Sequence, residues 1–144
     1  MKQDHIFVHL SSFDSIDIYP ENVPQNFKVQ LPERIRLDGS WTISLAEIEY
    51  PGKFLDKKPT FLYFEVDLCE TSVVGGQKRS VLRRLHVDTH TNRKNEVTFN
   101  PLYDIPIRIQ EFESIHVHIR EPSWCMASFA GGFVSCTVQL KKQA

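Results

Sequence analysis

The sequence has little Ala and no long apolar runs, which are features of helical bundles, membrane-spanning proteins and secreted proteins. Only four of its 144 residues are Ala, the best helix former, and this scarcity argues against a helical bundle. No apolar run approaches the ~20 residues that a membrane-spanning helix needs, so we expect no membrane partner. The first ten residues lack the apolar segment of a secretory signal. We therefore expect a protein that is made in the cytoplasm or nucleus and is not secreted.

Excess charge and metal-type cysteine spacing are also missing. The 17 basic and 18 acidic side chains give a net charge of -1. A nearly neutral chain has no global electrostatic reason to bind nucleic acid, so no specific nucleic-acid partner is expected. There are three cysteines, an odd number: Cys69, Cys125 and Cys136. No two of them have the C-x₂-C spacing of a zinc site, so reduced thiols are favoured over metal ligands. We expect no cofactor.

Strand-forming residues are abundant. Val, Ile, Thr and the aromatic residues fill 46 of 144 positions. Apolar and polar residues alternate with period 2 in most of the segments between the scattered prolines and glycines, which predicts strands with one buried face. Eight such segments are predicted: residues 5–10, 27–31, 41–46, 62–68, 81–87, 96–99, 114–120 and 134–140.

The connections between these segments predict how the strands are arranged. No helical stretch lies between them, so the sheets are expected to be antiparallel. Residues 11–26 and 100–112 form long, proline-bearing connections, which suit a Greek key better than a meander. Eight strands in two Greek keys form a jelly roll. We therefore predict an all-β, eight-stranded antiparallel single jelly-roll sandwich that occupies residues 1–144 as one domain. An immunoglobulin-like sandwich is less favoured, because Trp41 precedes all three cysteines.

Few residues suggest catalysis or metal binding. His86, Asp88 and His90 read H-x-D-x-H, and in one extended strand their side chains would point the same way, as in a cupin-like metal site. The further ligands of such a site have no clear match, so the alternative is the polar end of a strand that runs into a loop. No G-x-S-x-G elbow is present, and we expect no enzymatic activity.

Three other features have more than one interpretation. His116 and His118 share the outward face of a strand, where they could bind a metal, sense pH near 6 or simply face solvent or another subunit. Gly75-Gly76 is interpreted as a turn, because no P-loop motif or helix follows it. The neighbouring basic residues form a local cluster that could meet an acidic partner or packaged nucleic acid: Lys78, Arg79, Arg83 and Arg84.

The order of several short motifs resembles that of a known family. The motifs are Phe7-Val8-His9-Leu10-Ser11-Ser12, Tyr19-Pro20-Glu21-Asn22, Phe27-Lys28-Val29-Gln30-Leu31-Pro32, Leu37-Asp38-Gly39-Ser40-Trp41, Leu45-Ala46-Glu47-Ile48-Glu49-Tyr50-Pro51, Leu82-Arg83-Arg84, Phe99-Asn100-Pro101-Leu102-Tyr103-Asp104-Ile105-Pro106, Glu111-Phe112-Glu113-Ser114-Ile115 and Phe129-Ala130-Gly131-Gly132. From Phe7 to Leu140 the chain resembles the minor capsid (penton) proteins of Polinton/Maverick elements and adintovirus-like viruses.

The resemblance implies a structural role. Members of this family are single jelly rolls that form homopentamers at the vertices of an icosahedral capsid, next to a double-jelly-roll major capsid protein. The expected location is therefore the virion. Outward faces and loops would contact the sister subunits, and we expect five residues there: Phe7, Tyr63, Trp124, Met126 and Phe129. Residues 124–130 are apolar without strand alternation, and they could instead plug the end of the sandwich. The alternatives are a jelly-roll binding module for a glycan or cell-surface receptor, a host-domesticated derivative, and a cupin-like metalloenzyme.

Overall fold

Eleven strands make up the regular structure of the chain. The computed structural model describes residues 4–143, and within them there is no helix, and so none that is long and apolar enough to cross a membrane. The strands are β1 (His5–Ser11), β2 (Asn26–Arg36), β3 (Trp41–Tyr50), β4 (Phe61–Val66), β5 (Ser72–Val74), β6 (Gln77–Arg79), β7 (Val81–His86), β8 (Asn95–Thr98), β9 (Ile105–Pro106), β10 (Glu111–Arg120) and β11 (Ser135–Lys142).

The eight longer strands form two antiparallel sheets that pack face to face. The first sheet has the order β1-β11-β3-β8, with β9 beside β3, and the second has the order β2-β10-β4-β7. The first strand of the chain therefore pairs with the last, and β2 pairs with β10. This pairing of early strands with late ones in both sheets is the jelly-roll arrangement. The predicted all-β antiparallel jelly roll is confirmed.

Each of the eight predicted segments overlaps one of these longer strands, while β5, β6 and β9 are additional. Strands β5 and β6 form a small hairpin whose two turn residues are Gly75 and Gly76. Both glycines have positive φ, 56° and 79°, which a two-residue hairpin turn of type I′ requires. The predicted turn at Gly75-Gly76 is thus confirmed, but the strands beside it were not predicted.

The core lies between the two sheets, where the inward positions of both meet. Its largest fully buried side chains include Tyr50, whose hydroxyl donates to the carbonyl oxygen of His86. Cys69 and Cys136 are also buried, whereas Cys125 is exposed. The remaining large, fully buried side chains come from both sheets and from the residues that flank them: Phe27, Phe64, Leu10, Ile43, Leu45, Leu62, Leu68, Leu85, Ile115, Ile119 and Leu140.

Four connections meet at one end of the sandwich, which we call the loop end: residues 12–25, 51–60, 87–94 and 121–134. Backbone hydrogen bonds join them, for example Ser12 N to Val134 O at 2.8 Å and Leu55 N to Ser128 O at 2.7 Å. Of ten exposed large apolar side chains among the described residues, six lie here: Phe13, Ile16, Ile18, Val23, Leu55 and Phe133. The loop end is therefore the most apolar part of the described surface.

Candidate functional site on the outer face of the second sheet

The outer face of the second sheet carries a polar and aromatic network, which strand alternation produces. On β4, Leu62, Phe64 and Val66 point into the core, so Tyr63 and Glu65 point outward. On β10 the inward positions are Ile115, Val117 and Ile119, which leaves His116, His118 and Arg120 on the outside. Antiparallel pairing sets Glu65 beside His118 and Tyr63 beside Arg120. Charged and aromatic groups from two strands therefore share one surface.

Glu65 is the buried charge of this network. It is only 7% exposed. The guanidinium of Arg79, from β6, binds its carboxylate with two hydrogen bonds of 2.9 and 3.0 Å, and Arg120 Nε also donates to Glu65 Oε1. A buried carboxylate is retained only when charged donors compensate for its lost hydration. Two guanidinium groups do so here, and they leave one positive charge in excess.

Trp124 covers this ionic cluster. It follows β10 in the loop end and has a positive φ of 71°. Its ring stacks on Tyr63 with centroids 4.7 Å apart and planes 14° apart, and the Arg79 guanidinium lies 4.7 Å from the Trp124 ring centroid. Arg120 Nη1 donates to the Trp124 carbonyl oxygen at 2.9 Å. The unusual backbone angle is therefore held by contacts on both sides of the residue.

His116 and His118 pack against each other with ring centroids 4.1 Å apart. A ring nitrogen of His116 also lies 2.7 Å from Asn26 Oδ1. Burial lowers the pKa of His118 to about 4, and the neighbouring His116 and Arg120 act in the same direction. Burial likewise lowers the pKa of His116. Both rings are therefore neutral at pH 7, and the titration of His118 lies well below the pH near 6 that the sequence suggested.

A cavity of about 280 Å³ opens beside Glu65, between the second sheet and the hairpin. Its charged lining residues are Glu65, Asp67, Lys78, Arg79, Arg108 and Arg120. Asp67 Oδ1 accepts a hydrogen bond from the backbone N of His116 at 3.1 Å, and burial raises its pKa. Arg108 Nε donates to the Asp67 carbonyl oxygen at 3.1 Å. The cavity is thus lined by more positive than negative groups.

The residues of the predicted metal site are not brought together. Strand β7 ends at His86, and Val87 is buried with its N–H bonded to the Thr60 carbonyl oxygen. Asp88 and His90 follow in an exposed loop, where Asp88 Oδ1 accepts from the His90 backbone N at 2.9 Å. The assumption of one extended strand through His90 is therefore wrong. Among residues 4–143, no group of three His, Cys, Asp or Glu side chains is placed to hold a metal ion.

The expected subunit-contact residues have different surroundings. Phe7 is 59% exposed on the first sheet, and Tyr63, Trp124 and Met126 are half-buried on or beside the second. Phe129 is only 4% exposed, because its ring packs inside the loop end, 5.2 Å from that of Phe54. This corrects the expectation for Phe129, whose ring is not on a surface that a sister subunit reaches.

The predicted basic cluster is divided among three places. Arg79 binds Glu65, and Lys78 lines the cavity. Arg83 lies 4.1 Å from the ring centroid of Phe99 and 3.7 Å from that of Tyr103, and Arg84 lies 4.5 Å from that of Phe61. The four residues therefore do not form one continuous patch for an acidic partner.

The ionic network around Glu65 is not predicted by the sequence analysis. Asp67 lies just beyond the end of β4, and the guanidinium partners of Glu65 come from residues 14 and 55 positions away. Two glycines between short β-forming runs were the available signal for the hairpin that supplies Arg79. No family model matches this chain, and no curated protein matches it.

Proposed function

We propose that this chain is a structural capsid subunit: a minor capsid (penton) protein, five copies of which form each vertex of an icosahedral DNA-virus or Polinton-type capsid. Its single jelly-roll fold and the order of its sequence motifs both support this proposal. In this role the protein acts by assembling with other copies of itself and catalyses no reaction.

The observation that carries the proposal is the difference between the two outer faces of the sandwich. A cyclic ring needs a heterologous interface, in which two different patches of each subunit meet. Phe7 is exposed on the outer face of the first sheet, while the Tyr63–Trp124 stack lies on the outer face of the second. Aromatic groups on opposite faces give each subunit two different patches, as a head-to-tail ring needs.

The charges on the two faces also favour head-to-tail contact. On the first sheet, Glu47, Glu49 and Glu96 line a surface pocket of about 310 Å³, and Lys94 pairs with Glu49 at 2.6 Å. Two negative charges remain there after that pair is counted. The second sheet presents Arg84 and the excess positive charge around Glu65. Opposite charges on facing surfaces steer association and disfavour like-to-like contacts.

The loop end would then contact the surrounding shell. Its exposed apolar side chains, such as Phe13, Ile18 and Leu55, are left over when the two sheet faces are used within the ring. A stable contact buries about 800 Å² per partner, and exposed apolar patches commonly mark such contacts. We propose the double-jelly-roll major capsid protein as the partner at this end.

Light scattering coupled to size-exclusion chromatography tests the proposal, with the chain alone and mixed with the major capsid protein. We expect a species of five times the chain mass, formed more readily as concentration rises. Phe7→Ser and Trp124→Ala should each shift the equilibrium toward monomer by at least tenfold in dissociation constant. Val73→Ser, at an exposed apolar position that belongs to neither aromatic patch, is the matched control. A protein that stays monomeric in both conditions would contradict the proposal.

A further inference from the structure

We infer that the cavity between the second sheet and the hairpin binds a small doubly charged oxyanion, the phosphate monoester group of a ligand. The cavity has a volume of about 280 Å³, close to the lower end of the range for small-molecule sites. The inference does not depend on the proposed capsid role, because every lining residue comes from one chain.

The charge balance of the lining selects an anion. Four of the lining residues are cationic, Lys78, Arg79, Arg108 and Arg120, and two are carboxylates, Glu65 and Asp67. His118, which also lines the cavity, has a lowered pKa and is neutral at pH 7. Two positive charges therefore remain uncompensated. A ligand group with two negative charges would neutralise them.

The carboxylate of Glu65 does not oppose such a ligand, because its oxygens already accept hydrogen bonds. Arg79 donates to both of them, and Arg120 donates to Oε1. A carboxylate engaged in this way holds the guanidinium groups in fixed positions. It therefore acts as a positioning group for the two arginines on this side of the cavity.

Donors on the other side of the cavity are still available. Arg108 uses Nε to donate to the Asp67 carbonyl oxygen, which leaves both of its Nη groups for a ligand. Lys78 is exposed and forms no ion pair within residues 4–143. A guanidinium fork and an ammonium group are the usual donors to phosphate and sulfate oxygens.

The hairpin is what brings these donors to the sheet. The Gly75-Gly76 turn reverses the chain within two residues, so that β6 returns Lys78 and Arg79 toward β4. Because Arg79 is tied to Glu65, the hairpin is fixed against the sheet at its base. The cavity is thus preformed, and little ordering is needed when a ligand binds.

Trp124 and His118 can report whether an anion occupies the cavity, and neither residue has to be substituted for this purpose. Arg79 lies 4.7 Å from the Trp124 ring centroid, so an anion bound to Arg79 changes the fluorescence of Trp124. Trp41 is 8% exposed in the core and should not respond. A bound anion also favours protonation of the nearby His118 ring, which NMR detects as a rise in its titration midpoint.

The experiment titrates the monomeric fraction with inorganic phosphate and inorganic sulfate, with sodium chloride at matched ionic strength as the reference. We expect a saturable change in Trp124 fluorescence with phosphate or sulfate in the millimolar range, and a rise of the His118 midpoint. O-phosphoserine should then bind more tightly than N-acetylglucosamine-6-sulfate, because the sulfate ester carries only one negative charge, and equal or tighter binding of the sulfated sugar would also overturn the inference. An equal response to chloride would overturn the inference.

A double substitution, Lys78→Ala with Arg108→Gln, removes the available donors and keeps the Glu65 pairs. We expect it to weaken binding at least tenfold while the thermal unfolding midpoint stays unchanged. Lys57→Ala with Arg36→Gln is the matched control, because both residues are exposed and neither lines the cavity. Unchanged binding in the first variant would also overturn the inference. Neither result depends on whether the protein forms a ring.

Discussion

Asn22 closes part of the free edge of β2 by pairing with both backbone groups of Lys28. Its Nδ2 donates to the Lys28 carbonyl oxygen at 2.8 Å, and its Oδ1 accepts from the Lys28 N–H at 3.0 Å. Strand β2 is one of the two edge strands of the second sheet, so these groups would otherwise be free to pair with another strand. Ser15 Oγ accepts from the next outward-facing N–H, that of Gln30, at 2.8 Å.

Replacing Asn22 with Ala should lower the free energy of unfolding by about 1–2 kcal/mol, because its side chain loses two hydrogen bonds to the Lys28 backbone and a longer one, of 3.3 Å, to the Asp14 carbonyl oxygen. It should also increase aggregation during storage, since the freed edge can accept a strand from another molecule. Urea unfolding and static light scattering measure the two effects. Glu21→Ala, on the same connection and exposed, is the control. Equal behaviour of the two variants would show that the edge is not protected by Asn22.

Replacing Glu65 with Gln should be strongly destabilising, because it leaves Arg79 and Arg120 close together without a carboxylate. Removing one partner of a buried ion pair costs about 3–5 kcal/mol, and the partial exposure of both arginines reduces this to about 2–3 kcal/mol. Glu111→Gln is the matched control, since Glu111 also pairs with two arginines but lies in the open. Chemical denaturation of both variants should show little change for Glu111→Gln.

The stability of the protein should fall as the pH drops from about 6.5 to about 4, in part because of His118. Its pKa in the folded state is about 4, below the ordinary value of 6.5, so the unfolded chain binds the proton first. The stability is therefore complete above pH 6.5 and is lost as the pH falls toward 4. After allowance for partial exposure, the His118 contribution is about 1–2 kcal/mol.

The measurement is the free energy of unfolding at pH 7.5 and pH 4.5 for the wild type and for His118→Gln. The difference between the two pH values should be smaller in the variant. Asp67 has a raised pKa and changes stability in the opposite direction near pH 4, but it is common to both proteins. If the free energy of unfolding falls between pH 7.5 and pH 4.5 by the same amount in both proteins, the acid sensitivity comes from groups other than His118.

Gly52→Ala should be far more damaging than Gly131→Ala. A Cβ on Gly52 would lie 1.8 Å from the carbonyl oxygen of Arg93, so two connections of the loop end would have to separate. Gly131 has a φ of +86° but open space around it, so Ala there costs only the strain of that angle, about 1 kcal/mol. Thermal unfolding should show a much larger loss of midpoint for Gly52→Ala. A similar loss for both would mean that the loop end adjusts easily.

One thiol per folded chain should react quickly with Ellman's reagent. Cys125 is exposed, whereas burial raises the pKa of Cys69 and of Cys136 to about 12. Buried, fully protonated thiols are poor nucleophiles. The count should rise to three in guanidinium chloride, and Cys125→Ser should abolish the fast phase. Rapid reaction of two or more thiols in the native protein would contradict this burial.

Most of the fold could be predicted from local sequence, because burial of one sheet face forces period-2 alternation along each strand. Residues 62–68 and 114–120 show this alternation clearly, and both lie in the second sheet. The two-residue strand β9 is too short to show any period, and a single proline makes up half of it. Its pairing with β3 depends on tertiary position, which local sequence does not report.

The site was much less predictable than the fold. Glu65 looks like any outward residue of a half-buried strand, and its burial depends on Arg120 and on a hairpin beyond the end of β4. Phe129 was named among the expected subunit contacts, although its segment, which lacks strand alternation, could equally plug the end of the sandwich. It is in fact buried, since a loop can fill the end of a sandwich without following a strand pattern. The burial of Glu65 and the burial of Phe129 both depend on contacts between segments that are distant in the sequence.

The pairing of β1 with β11 has a consequence for how the protein is made. Residues 5–11 are synthesised long before residues 135–142, which form the only strand within residues 4–143 that pairs with them. The first sheet therefore stays incomplete through most of synthesis, with Ile6, Val8 and Leu10 lacking their partners. Such long-range pairing is slow and exposes aggregation-prone segments in the meantime. Added chaperones during synthesis should accordingly raise the yield of folded protein.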